Sequence, residues 1–127
     1  MLKQGNDVAI FATGGLVYNA LSAAFDLAQL NIHARVYNAS SIKPIDNEAI
    51  YSAAKETKLL VSIEDHNVIG GLGGAIAESL TQHSSVPRLV RIGINDEFGE
   101  SGTPESLYEK HGLSQGKIVE RIVREFR

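Results

Sequence analysis

A chain of 127 residues, 43% hydrophobic and 21% charged, can bury one core. It is too ordinary in composition for a disordered protein and leaves little room for a second domain. The formal net charge is −3, with Lys and Arg scattered among acids and no basic stripe to meet a phosphate backbone, so nucleic acid is not an expected partner. The absence of cysteine rules out a disulfide scaffold, a thiolate metal site and a cysteine nucleophile together.

Residues 1–127 are therefore read as one domain. The start, MLKQGNDVAIF, lacks the apolar stretch of a secretory signal, and no run approaches the ~18 apolar residues of a membrane span. A cytoplasmic protein without a membrane partner is expected.

Asp7–Thr13 (DVAIFAT) is apolar without polar alternation, which predicts a strand buried on both faces. Gly14-Gly15 follows, and Leu16–Leu30 then repeats at helical spacing, with Leu16, Ala20, Ala23, Ala24, Leu27 and Ala28 on one stripe. Ile32–Asn38 predicts a second strand, and Asp46 a cap for a helix over Asn47–Glu56. Leu59–Ile63 predicts a third strand, ending in Glu64-Asp65-His66. Gly70-Gly71-Leu72-Gly73-Gly74 then enters a helix over Ala75–Leu80, and Arg88–Ile94 is a fourth strand. Thr103-Pro104-Glu105 starts a helix that stops near Gly112. A last helix runs over about Gln115–Phe126, with Ile118, Val119, Ile122, Val123 and Phe126 inward. Strands alternating with helices imply a parallel sheet and a three-layer α/β/α domain.

In such a sheet ligands gather beyond the carboxyl ends of the strands, at a switch point in strand order. Three segments converge there: Thr13-Gly14-Gly15, Glu64 to Gly74, and the loop from Asn95 to Gly102. The candidate crevice comprises Thr13, Gly14, Gly15, Glu64, His66, Gly70, Gly71, Gly73 and Gly74. The helix ends beside it would suit a small anion or phosphate. Read from Gly71, the glycines fail a dinucleotide fingerprint, because Ile76 stands where the third glycine belongs, and no Gly-Lys-Ser/Thr is present. Two readings stay open for them: close packing of helix on sheet, or an anion site.

Glu64-Asp65-His66 could serve as a general acid or base, or as a hydrogen-bonded loop anchor or interface contact. Glu64 and His66 share a side only if the strand continues through them. With no nucleophile beside them, no catalytic residue is assigned. His33, His83 and His111 lack the spacing of a helical metal site, so no metal is expected. The charges Glu120, Arg121, Arg124, Glu125 and Arg127 read as a solvated helix face.

Taken in order, DVAIFATGG, ARVYNASSIKPID, SIEDHNVIGGLGGAIAE and FGESGTPESLYEKHGL resemble the C-terminal domain of transketolases, from about Asp7 to the end. The resemblance implies a five-strand sheet with the first strand central, flanked on opposite sides by the second and third. It also implies an antiparallel edge strand for which only Met1-Leu2-Lys3 is available, so the chain is expected to be a fragment or a split subunit. Transketolases move a two-carbon ketol unit between sugar phosphates in carbohydrate metabolism, including the pentose phosphate pathway, using thiamine diphosphate and a divalent metal such as Mg. In the family the cofactor is held by an N-terminal domain carrying Gly-Asp-Gly…Asn, and is activated by a glutamate of the middle domain. No Gly-Asp-Gly occurs here, so the resemblance implies no cofactor on this domain alone. The implied partners are the N-terminal and middle domains of the parent enzyme, with self-association, most simply as a twofold dimer.

Gly15-Leu16 departs from the Ser-Glu of many members, and Glu64-Asp65-His66 occurs in only some branches. Deoxyxylulose-phosphate synthase and 2-oxoacid dehydrogenase subunits carry related domains. The expected role is structural, in assembly of a larger enzyme. The alternatives are a stand-alone anion-binding domain or the interaction module of a split enzyme.

Overall fold

The all-apolar run after Asp7 forms β1 (Val8–Ala12), in which every residue is buried. Full burial on both faces requires layers above and below it, and the rest of the chain supplies them. The computed structural model describes residues 1–39, 46–67, 71–94 and 108–127, with the side chains of 65–67 and of Ile94 excepted. The Asn95–Gly102 loop and the Thr103-Pro104-Glu105 helix start lie outside the described residues.

After β1 come α1 (Leu16–Gln29), β2 (Ala34–Asn38), α2 (Asn47–Glu56), β3 (Leu59–Asn67), α3 (Leu72–Leu80), β4 (Arg88–Ile94) and α4 (Gln115–Phe126). The sheet order is β2-β1-β3-β4, with every pairing parallel. Ile10 registers with Val36 on one side and Val61 on the other. One face of the sheet, through Ile10, Val36, Val61 and Ile92, packs on Leu16 and Leu27 of α1 and Ile118 and Ile122 of α4. The other, through Phe11, Tyr37 and Leu60, packs on Ile50 of α2 and Ile76 and Leu80 of α3. Phe11 and Tyr37 stack across β1 and β2 with ring centres 4.6 Å apart.

The expected fifth strand is present only in outline. Lys3 forms a single antiparallel bridge with Val36, closed by Leu2 N–H to the Val36 carbonyl (2.7 Å) and Val36 N–H to the Lys3 carbonyl (3.1 Å). Arg35 holds the residues that follow. This buried side chain donates to the Gly5 carbonyl (2.7 Å), Asn6 Oδ1 (2.8 Å) and the Glu56 carboxylate (3.4 Å).

β2 begins at Ala34 rather than Ile32 because the preceding residues finish α1. Ile32 N–H bonds the Leu27 carbonyl (2.9 Å) and Asn31 N–H the Ala28 carbonyl (3.0 Å). Asn31 takes a left-handed conformation (φ 62°). This is the crossed pair of bonds that satisfies the last carbonyls of a helix. Asp46 caps α2 as its sequence position predicts, accepting the Ala49 N–H at 3.1 Å.

The crevice at the strand ends

The switch point lies between β1 and β3, since the chain leaves β1 toward β2 on one side and returns to β3 on the other. Thr13 N–H donates to the Ile63 carbonyl (3.2 Å), fastening the end of β1 to β3. Gly14 turns the chain at φ +55°, a region that costs other residues energy and glycine little. The Thr13 and Gly14 carbonyls accept the N–H groups of Leu16 and Val17 at 3.1 and 3.2 Å. The first donors of α1 are thus used by the turn that launches it.

β3 continues past Ile63 to Asn67, with an irregularity between Ile63 and Asn67 against β4. Glu64 therefore lies within the strand, facing α3, and is buried. Its two carboxylate oxygens accept the N–H groups of Leu72 (2.8 Å) and Gly73 (2.9 Å). A carboxylate on two consecutive N–H groups at a helix start gains both charge-assisted bonds and the favourable end of the helix dipole. The anion at the α3 terminus is thus the protein's own, and an external anion there would have to displace a buried carboxylate. The His66 side chain and Gly70 lie outside the described residues.

Gly71 caps α3, so Gly73 and Gly74 fall inside the helix rather than ahead of it. A Cβ on Gly73 would come within 2.7 Å of Ser62 Oγ and 2.8 Å of Arg91 Nε. Close approach of helix to sheet is why glycine stands there. A Cβ on Gly74 would meet Arg91 Nη2 at an ordinary 3.6 Å. Gly74→Ala should therefore stabilise the protein by about 0.5–1 kcal/mol through helix propensity. Gly73→Val should cost about 1–3 kcal/mol through overpacking. Urea melts of the two variants check this, and stabilisation by both would contradict the packing described for α3.

Thr13 Oγ1 and Ser62 Oγ are buried without a hydrogen-bond partner among the described residues. No group of three or more His, Asp or Glu suited to a metal occurs among the described residues. The crevice carboxylate, Glu64, has both oxygens committed to backbone donors. The described residues do not fit a metal-bridged diphosphate.

A family model described as "Transketolase, C-terminal domain" matches residues 1–118. The chain belongs to the transketolase C-terminal domain family. It is 46% identical over 119 residues to the 6-deoxy-6-sulfo-D-fructose transketolase subunit SqwH of Clostridium sp. (strain MSTE9), covering 94% of this chain and 37% of that protein. It is 37% identical over 126 residues to the 1-deoxy-D-xylulose-5-phosphate synthase of Synechococcus sp. (strain JA-2-3B'a(2-13)), covering 99% of this chain and 19% of that one. Among solved structures, "Split gene transketolase, inactive beta4 tetramer" superposes with a TM-score of 0.88 at 43% identity, over 96% of this chain and 40% of that chain. This transketolase C-terminal domain thus spans well under half the length of each of these relatives.

Proposed function

We propose that this chain serves as the structural and assembly domain of a transketolase-like, thiamine diphosphate-dependent enzyme transferring a two-carbon ketol unit between sugar phosphates. In this reading the N-terminal and middle domains hold the cofactor and Mg, and this domain braces them without entering the chemistry. The observation that carries the reading is the Glu64 clasp. The polar groups that a ligand would need at the switch point, the Leu72 and Gly73 N–H groups, already serve to lock α3 onto the sheet. Exposed Tyr18 (74%) and Phe25 (61%), two helical turns apart on α1, are further support, since apolar surface of this kind belongs against other parts of an assembly.

A second reading, an interaction module of a split enzyme that self-associates, is favoured by the likeness to a split-gene transketolase tetramer. A chimera tests the proposal. This chain replaces the matched segment of the Clostridium subunit, which is then combined with the rest of its enzyme. The chimera is expected to assemble and retain ketol transfer, and deletion of the segment to abolish both. A chimera that folds but stays unassembled, or a deletion that remains active, would overturn the proposal.

A further inference from the structure

We draw no further inference here: the strongest candidate, the hollow of about 570 Å³ between α2 and the turn after α3 beside Tyr51 and His83, already has Lys55 over its Tyr51 ring and Glu56 paired with Arg35, and nothing in the structure shows what covers it.

Discussion

Replacing Glu64 by alanine is expected to destabilise the domain by about 3 kcal/mol, because two buried N–H groups lose a charged acceptor at once. For a chain of this size that corresponds to a fall of roughly 10 °C in Tm. Glu64→Gln keeps the shape but offers one acceptor oxygen and turns an NH2 group toward the second donor, so it should cost about half as much. Glu64→Asp keeps the charge but is one methylene too short to span from β3 to Leu72 and Gly73. Thermal and urea melts order the three variants. A loss under about 1 kcal/mol for Glu64→Ala, the scale of an ordinary exposed contact, would show that water replaces the carboxylate. The clasp would then not hold α3.

The second large effect is expected at Arg35. Arg35 is 2% exposed, and its guanidinium reaches Gly5, Asn6, Tyr37 and Glu56, joining the N-terminal segment, β2 and α2. Arg35→Met keeps most of the volume and removes every donor, at an expected cost of about 2 kcal/mol. The Met1–Asn6 segment should come away from β2, so the Leu2 and Val36 amides, bonded to one another's strand at present, should exchange with solvent much faster. Unchanged protection at Val36 would contradict this.

Glu56 adds a pH signature to the same variant. The Ser52 hydroxyl, and after it the Arg35 guanidinium, hold its carboxyl below the ordinary value of 4.5. A lowered folded pKa means the contribution is present above pH 4.5 and is lost as pH falls through the folded value. Arg35→Met should flatten that acid limb.

How far the sequence discloses this molecule follows from which signals are local. The bounds of α4 and the Asp46 cap of α2 come straight from periodicity and helix-start chemistry, because neighbours in sequence decide them. β3 reads four residues short, since Glu64 and the polar residues after it resemble a loop. The strand runs on because Glu64 finds its partners on α3, eight and nine residues later. α3 reads three residues short for the converse reason. Gly73 and Gly74 weigh against a helix by propensity, and contact with Ser62 and Arg91 overrides it.

That the end of β1 meets β3, where Thr13 N–H bonds the Ile63 carbonyl, is legible once parallel topology is accepted. The occupancy of the α3 terminus by Glu64 is not, although a carboxylate at a strand end just before a glycine-rich helix start is a usable signal for it. Arg35 escapes sequence reasoning altogether, because Gly5 and Asn6 lie about thirty residues upstream and Glu56 about twenty downstream.

Calorimetric titration of the isolated chain with thiamine diphosphate and magnesium puts the assembly role to its most direct test. No saturable heat is expected, since both Glu64 carboxylate oxygens are committed to α3 and the proposed assembly role assigns the cofactor's ligands to other domains. A saturable signal with Kd in the micromolar range would contradict it and give this domain a cofactor site of its own.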